Sequence, residues 1–203
     1  MAITSLSQLD LTKQYTYADY LAWQFEERVE LIKGWIMRMA SPSRAHQFTA
    51  ARLFRGIDGF FANHPCEVYF APTDVMFLNK IQTPKKNKDI YTVLIPDLFV
   101  ICDLSKMQDG GCLGAPDLVV EILSPGNTKK EMKYKYEIYE ENGVKEYWVV
   151  HPIDKNIVIH ALQDNGKYQA SKYFTDEDSL TSVLFPDFTM DLSTVFLNKK
   201  DEE

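Results

Sequence analysis

The segment that decides the fold is Pro116-Asp117-Leu118-Val119-Val120-Glu121-Ile122-Leu123-Ser124-Pro125. Its branched apolar residues stand between prolines, which predicts a buried strand over residues 117–123. A carboxylate inside such a strand must be paired, neutralised or bound to a metal, because removing a charge from water is costly. Glu121 is therefore a candidate functional residue. Asp117 shares its face, but four steps of about 3.3 Å separate the two α-carbons by roughly 13 Å, too far to share one ion.

The upstream strand over residues 94–103 supplies a better partner for Glu121. If the two strands are antiparallel neighbours, Asp97 lies opposite Glu121, and Asp117 falls at the far end near Asp103. Two such carboxylates suit a hard divalent cation such as Mg²⁺, which can activate water and stabilise charge on a phosphate. The alternative is that Asp97 caps a turn after Pro96 and that Glu121 faces solvent on an edge strand.

A helix is predicted after this strand, because Thr128 and Glu131 have capping-box spacing and Gly143 stands where a helix stops. Lys135 lies about 60° from Met132 on the helical wheel, at the margin of the apolar face. Its ammonium could orient a water nucleophile or stabilise a phosphate at the end of the sheet. The alternative is an exposed lysine that pairs with Glu131 at i and i+4.

The remaining elements complete the core. Apolar periodicity predicts a helix over 45–63, and apolar runs predict strands over 67–77 and 146–150. Peripheral elements are a short helix from Thr16 through Trp23 and Phe25, a hairpin over 29–39 turning at Lys33-Gly34, and a hairpin over 156–174. The core order is helix, three strands, helix, strand. We predict an α/β (α+β) fold with a mixed central sheet and a single domain over 1–203.

Composition limits the function classes. The chain has 203 residues, 22 Lys plus Arg and 29 Asp plus Glu, a formal charge of −7 that argues against a broad basic face that coats nucleic acid. No apolar run is long enough to span a bilayer, and we expect no membrane partner. Cys66, Cys102 and Cys112 show no zinc-ligand spacing, so we expect reduced thiols and a cytoplasmic location.

These motifs together resemble the Uma-type restriction endonucleases of the PD-(D/E)XK, restriction-endonuclease-like superfamily. The resemblance covers nearly the whole chain and rests on the quoted segment and on the following pieces: Glu30-Leu31-Ile32-Lys33-Gly34, His46, Pro96-Asp97, Lys135, Tyr139, Gly143-Val144, Glu146-Tyr147-Trp148, Phe185-Pro186 and Phe188. It implies a restriction-endonuclease-like core and a metal-dependent phosphodiesterase site.

The resemblance also assigns roles. Asp97 matches the PD aspartate and Glu121 the acidic residue of the (D/E)XK half, 24 positions later (121 − 97). Leu123 stands where the superfamily lysine is expected, and Lys135 occupies the position to which Uma-type members have moved it. Asp97, Glu121 and Lys135 are thus the expected catalytic residues, the two acids also being the metal ligands.

Further residues and partners follow from the same resemblance. Glu30 and His46 match family positions that could support the metal, a water or the scissile phosphate, and Asp117 is a further supporting candidate. Glu131 replaces an aspartate common in the family. The implied cofactor is Mg²⁺, for which Mn²⁺ could substitute, and the implied substrate is nucleic acid, DNA before RNA, cut by a homodimer.

Two hypotheses remain open at this stage. The first is a Mg²⁺-dependent endonuclease that hydrolyses phosphodiester bonds. The second is a non-catalytic descendant of the fold that binds nucleic acid or a protein partner, and the acidic net charge and Leu123 favour it. A cleft of positive electrostatic potential, lined by residues such as Arg44, Lys129, Lys130 and Lys133, would favour a nuclease or a DNA binder over a protein-binding module.

Overall fold

The computed structural model describes residues 2–78, 87–169 and 172–197. These residues contain three α-helices, which are α1 (Tyr17–Tyr20), α2 (Arg44–Phe61) and α3 (Lys129–Asn142). Short 3-10 turns occupy Leu6–Gln8, Asn87–Asp89, Leu104–Lys106 and Leu192–Thr194. The strands are β1 (Val29–Ile32), β2 (Trp35–Arg38), β3 (Glu67–Phe70), β4 (Val75–Phe77), β5 (Thr92–Leu94), β6 (Leu98–Ile101), β7 (Met107–Gln108), β8 (Gly111–Leu113), β9 (Leu118–Ile122), β10 (Glu146–His151), β11 (Asn156–Ala161), β12 (Lys172–Thr175), β13 (Ser179–Thr181) and β14 (Thr189–Asp191).

Two six-stranded sheets form the framework. The central sheet has the order β12-β11-β10-β9-β6-β3, and the side sheet has the order β2-β1-β5-β4-β8-β7. In the central sheet, β9 and β10 are parallel and all other neighbours are antiparallel. Helix α3 is the crossover between the two parallel strands, as such a connection requires. The predicted core order of helix, three strands, helix and strand is confirmed by α2, β3, β6, β9, α3 and β10.

The two faces of the central sheet are covered by different elements. On one face, Leu53 and Ile57 of α2 pack with Leu118 and Val120 of β9. On the other face, Ile138 of α3 packs in one cluster with Val119 and with residues of the side sheet. Because side chains alternate along a strand, Glu121 lies on the same face as Val119, beneath α3.

Capping residues set the limits of α3. The Thr128 side chain accepts from the backbone N–H of Glu131, and the Glu131 side chain accepts from the backbone N–H of Thr128. Gly143 ends the helix with φ +86°, a left-handed conformation that glycine adopts at little steric cost. Both boundary signals in the sequence are confirmed.

The first hairpin is confirmed, with Lys33 and Gly34 both at positive φ between β1 and β2. Three other elements differ from expectation, and the first is the strand over 94–103, since Leu94 ends β5 of the side sheet and only Leu98–Ile101 form β6 of the central sheet. The chain turns at Ala71 and Pro72, so the expected strand over 67–77 is two strands that belong to different sheets. Helix α1 ends at Tyr20 instead of continuing through Trp23 and Phe25.

The expectation of three reduced cysteines is wrong. Cys66 and Cys102 form a disulfide, and Cys112 is free and buried. The antiparallel ladder of β3 and β6 pairs Glu67 with Ile101, so the residues that flank the ladder stand opposite each other. This pairing depends on strand register, which cysteine spacing does not reveal, and the cytoplasmic location inferred from reduced thiols loses that support.

No helix within the described ranges has the length and apolarity needed to cross a membrane.

Candidate active site

The central sheet brings Asp97 and Glu121 together. In the antiparallel ladder of β6 and β9, Leu98 pairs with Val120, so the next position places Asp97 opposite Glu121. Asp97 is also fixed from the side, since its Oδ2 accepts a 2.7 Å hydrogen bond from the backbone N–H of Ile122. The predicted juxtaposition of these two acids is confirmed, and neither alternative of a turn cap or an exposed edge acid describes them.

Lys135 reaches this pair from α3. Its Nζ lies 3.0 and 2.9 Å from the two carboxylate oxygens of Glu121, and both groups are buried. Glu131 is engaged elsewhere, by Asn127 and the backbone of Thr128. The alternative of an exposed Lys135 paired with Glu131 is therefore wrong. Three residues after Lys135, Ile138 is buried in the core, so this row of α3 faces the sheet.

Glu30 joins the cluster from the side sheet. Its Oε1 lies 2.9 Å from Lys135 Nζ and accepts a 2.9 Å hydrogen bond from the backbone N–H of Ile95. Only 1% of Glu30 is exposed. The lysine is thus held between an acid of the central sheet and an acid of the side sheet.

His46 contacts Asp97. It lies in the first turn of α2, where the Ser43 side chain caps the helix by accepting from the backbone N–H of His46. His46 Nε2 is 3.1 Å from Asp97 Oδ1, while its Nδ1 is buried and has no hydrogen-bond partner within the described part of the chain. The structure therefore brings together Glu30, His46, Asp97, Glu121 and Lys135.

Tyr139 also belongs to the cluster, and the sequence did not predict a polar contact for its hydroxyl. In the sequence Tyr139 supports only the family resemblance, yet its hydroxyl donates a hydrogen bond to Glu121 Oε1. Its position four residues after Lys135, one turn along the same helix, is the signal that could have identified it.

Burial sets the electrostatics of the cluster. Burial raises the pKa of Glu121 to about 7, opposed by the positive charge of Lys135 and reinforced by Glu30 and Asp97. Burial acts to lower the pKa of Lys135, but the attraction of Glu121 and Glu30 outweighs it and holds that pKa well above its usual value. Lys135 therefore stays an ammonium, a hydrogen-bond donor and not a base.

Asp117 lies outside this cluster. It occupies the opposite end of β9, where its Oδ1 is 2.7 Å from Lys145 Nζ and its Oδ2 accepts a 2.7 Å hydrogen bond from the backbone N–H of Cys102. The structure thus places it at the far end of the strand, where the antiparallel argument put it, and away from the other candidates.

The donor set suits a hard cation, but it is not arranged as a complete metal site. Within residues 2–78, 87–169 and 172–197, no group of three or more His, Cys, Asp or Glu side chains is arranged to hold an ion. Asp97 and Glu121 offer carboxylate oxygens on one face, and Mg²⁺ commonly takes one or two carboxylates and completes its shell with water and phosphate oxygens. An ion there would bind at Glu121 Oε2, which accepts from Lys135, whereas Oε1 accepts from both Lys135 and Tyr139.

Comparison with known proteins places this geometry in a family. The model of the Uma2 family, described as "Putative restriction endonuclease", matches residues 17–193. The chain belongs to the Uma2 family. The match spans Glu30, His46, Asp97, Glu121 and Lys135, so all five clustered residues lie within the Uma2 region.

Two relatives extend the comparison. The Uma2 chain is 27% identical over 165 residues to an uncharacterized protein of Synechocystis sp. (strain ATCC 27184 / PCC 6803 / Kazusa), covering 75% of this chain and 80% of the relative. It also matches the crystal structure of "a putative nuclease belonging to DUF820" from Anabaena variabilis ATCC 29413, with a TM-score of 0.69 and 18% identity. That match covers 90% of this chain and 97% of the other. The structural likeness confirms the α/β (α+β) fold with its restriction-endonuclease-like core.

Proposed function

We propose that this chain is a metal-dependent nuclease that hydrolyses phosphodiester bonds in nucleic acid, with DNA as the first substrate to test. Membership of the Uma2 family supports nuclease activity in general. The observation that carries the finer proposal is the contact of Lys135 with Glu121, directly opposite Asp97 on the neighbouring strand.

Asp97, Glu121 and the Ile122 carbonyl would hold Mg²⁺ or Mn²⁺. When bound, the ion lowers the pKa of a coordinated water and neutralises charge on the phosphate. The protein side chains then have distinct tasks. His46 positions Asp97 through its Nε2 contact, and Glu30 holds Lys135 from the other side.

Lys135 positions the attacking water and stabilises the phosphate. An ammonium has three donors, and among the described residues its short contacts all go to Glu30 and Glu121. Release of one Glu121 oxygen leaves one donor for the water or for a phosphate oxygen. Because the site is buried, that hydrogen bond acts in a medium of low dielectric constant, where it contributes most to catalysis.

Exposed cations near the site support a nucleic-acid substrate despite the acidic net charge. Arg44 at the start of α2 and Lys129, Lys130 and Lys133 in the first half of α3 are all exposed. The loops that precede the two helices touch, since Gly126 packs against Ala40. The helix starts therefore share one end of the sheet, where a phosphate backbone could run.

The first test is calorimetric titration with Mn²⁺, which needs no choice of substrate. We expect saturable binding by the wild type, loss of binding in Glu121→Gln, and unchanged binding in Glu141→Gln. Glu141 is a suitable control because it lies on α3 in an exposed ion pair with Lys33. Circular dichroism checks that each variant is folded.

A cleavage assay completes the test. Nicking of supercoiled plasmid DNA should require Mg²⁺ or Mn²⁺, stop with EDTA, and disappear in Glu121→Gln but not in Glu141→Gln. Cleavage by Glu121→Gln at the wild-type rate would refute the assignment. Absence of both Mn²⁺ binding and cleavage, with nucleic acid still bound, would favour the non-catalytic binding protein.

The proposal includes a homodimer, in which two sites would act on two strands. Light scattering after gel filtration, with and without DNA, measures the oligomeric state.

A further inference from the structure

A cavity of about 300 Å³ lies between α3, β10 and β11. Its walls are formed by Met132 and Tyr136 of α3, Tyr147 and Val149 of β10, and Val158 and His160 of β11. The proposed mechanism uses none of these side chains. The volume lies at the small end of the range for ligand pockets.

This cavity adjoins the candidate active site. In the parallel ladder of β9 and β10, Val149 pairs with Glu121, and paired residues on neighbouring strands lie about 5 Å apart on the same face. Met132 precedes Lys135 by three residues on the same helix, so their side chains are neighbours. A ligand whose phosphate lay at Glu121 and Lys135 would thus have its adjoining group beside the cavity.

The lining is rich in aromatic side chains, of which Tyr147 is almost fully buried and Tyr136 and His160 are half-buried. The rings of Tyr147 and His160 stack with centroids 5.7 Å apart and planes at 25°. Tyr136 stands edge-on to His160, with centroids 5.0 Å apart and planes at 89°. Such walls suit a planar aromatic ligand, and nucleobases stack on aromatic side chains with little dependence on sequence.

Positive charge lies at the mouth of the cavity. Lys133 lines the cavity and is exposed, and Lys129 and Lys130 lie exposed one turn earlier on α3. An aromatic cavity bordered by cations matches a ligand that combines a base with an anionic backbone. Lys133 also forms an exposed i, i+4 ion pair with Glu137, a type of pair that contributes little to stability and can give way to a phosphate.

We propose that this cavity holds a nucleobase of the substrate strand, next to the phosphate that the active site contacts. The inference rests on the proposed nuclease function and adds a base-binding subsite to it. A base that enters the cavity cannot remain stacked in a duplex, so the target is unpaired or is extruded from its stack on binding. The subsite therefore favours single-stranded or distorted nucleic acid.

The test compares a fluorescent single-stranded thymidine oligonucleotide with an abasic oligomer of the same length and charge. Affinities are measured by fluorescence anisotropy in EDTA, so that cleavage does not interfere. We expect wild-type protein to bind the thymidine oligomer about tenfold more tightly, the preference that stacking of one base provides. Val158→Phe, which fills the cavity, should abolish this preference and leave the affinity for the abasic oligomer unchanged.

Two further variants make the test decisive. Tyr136→Leu removes an aromatic wall without filling the cavity, and it replaces Val158→Phe if that variant does not fold. Val183→Phe makes the same change at an exposed position outside the cavity lining, and it should keep the wild-type preference.

Several outcomes would overturn the inference. Equal wild-type affinity for the two oligomers would do so, as would a base preference that survives in both Val158→Phe and Tyr136→Leu. If plasmid cleavage is still observed in either case, only the base subsite fails. If neither oligomer binds and no cleavage occurs, the subsite and the nuclease proposal fail together.

Discussion

Glu121 and Glu146 are both buried glutamates on neighbouring strands of the central sheet, yet their surroundings differ. Glu146 is 0% exposed, and its hydrogen-bond donors within the described residues are all neutral: Trp148 Nε1, Ser182 Oγ, and the backbone N–H groups of Val183 and Leu184. Glu121 is held by an ammonium and a phenol, with two more acids nearby. They lie on opposite faces of the sheet, Glu146 towards α2 and Glu121 towards α3.

The difference separates a structural acid from a candidate catalytic one. Neutral donors that converge on Glu146 satisfy it completely and tie the segment around residues 182–184 to β10. Lys135, the charged partner of Glu121, is shared with Glu30. A change in what binds Glu121 therefore alters the whole cluster. Burial alone does not distinguish the two roles, but the chemistry of the partners does.

The largest effect is expected for Lys135→Met. It should reduce cleavage at least about 100-fold, the cost of losing one donor to a developing charge. It should also destabilise the fold by about 3–5 kcal/mol at pH 8, because Glu30 and Glu121 lose their buried counter-ion. Urea unfolding and plasmid nicking measure the two effects.

The double variant Lys135→Met/Glu121→Gln sharpens this result. Removing the Glu121 charge as well should restore part of the stability, because only Glu30 is then left without its counter-ion, and it should restore none of the activity. Restored cleavage would show that neither Lys135 nor Glu121 takes part in the reaction and would remove the functional distinction between Glu121 and Glu146.

Glu146→Ala should act on stability alone. We expect a loss of about 3 kcal/mol, because several buried donors lose their acceptor. The cleavage rate per folded molecule should not change, since Glu146 faces the other side of the sheet. Urea unfolding with activity normalised to the folded fraction checks both statements, and a rate loss in fully folded protein would contradict the comparison.

Tyr139→Phe should have an intermediate effect. Removal of a hydrogen bond to a charged acceptor costs about 2 kcal/mol, and the ring remains in the core. Cleavage should fall less than in Lys135→Met because the ammonium still contacts Glu121. If the cleavage rate falls as far as in Lys135→Met, the Tyr139 hydroxyl takes part in the reaction directly.

Asp74→Asn tests a half-buried acid whose neutral donors do not offset the cost of its burial. Burial raises the pKa of Asp74 to about 6 from its usual 3.8, and Tyr20 donates to it over 3.4 Å. The folded state therefore holds the Asp74 proton more firmly, a stabilisation fully present below about pH 4 and lost as the pH rises through 6. The variant should thus exceed wild type by about 1 kcal/mol at pH 8, after allowance for solvent screening, and by little near pH 4.

Asp178→Asn is the control of opposite sign for this experiment. Asp178 is exposed, and hydrogen bonds from Thr175 lower its pKa. The ionised Asp178 therefore stabilises the folded state at neutral pH, and this stabilisation is lost on acidification. The variant should be less stable than wild type at pH 8. Thermal melts across pH 4–8 give both curves, and parallel trends would refute the argument.

Much of the site could be predicted because it follows from local patterns. The apolar run around Glu121 and the short strand that begins after Asp97 set the antiparallel pairing, and strand periodicity then places the two acids opposite each other. Lys135 was identified less directly, by its helical position and by the family resemblance. The contacts of Tyr139 and Glu146 were not predicted, because an apolar-looking periodicity does not show where a hydroxyl or carboxylate finds its partner.

The sequence by itself determined the order of the core elements, the boundaries of α3 and, given antiparallel neighbouring strands, the opposition of Asp97 to Glu121. These depend on capping, turn residues and side-chain alternation, which act between residues close along the chain or in one ladder. Only the tertiary structure decided that residues 67–77 divide between two sheets, that Cys66 joins Cys102, and that Glu30 shares Lys135 with Glu121. Those contacts join elements far apart in sequence, and they depend on how the side sheet and α3 pack on one face of the central sheet.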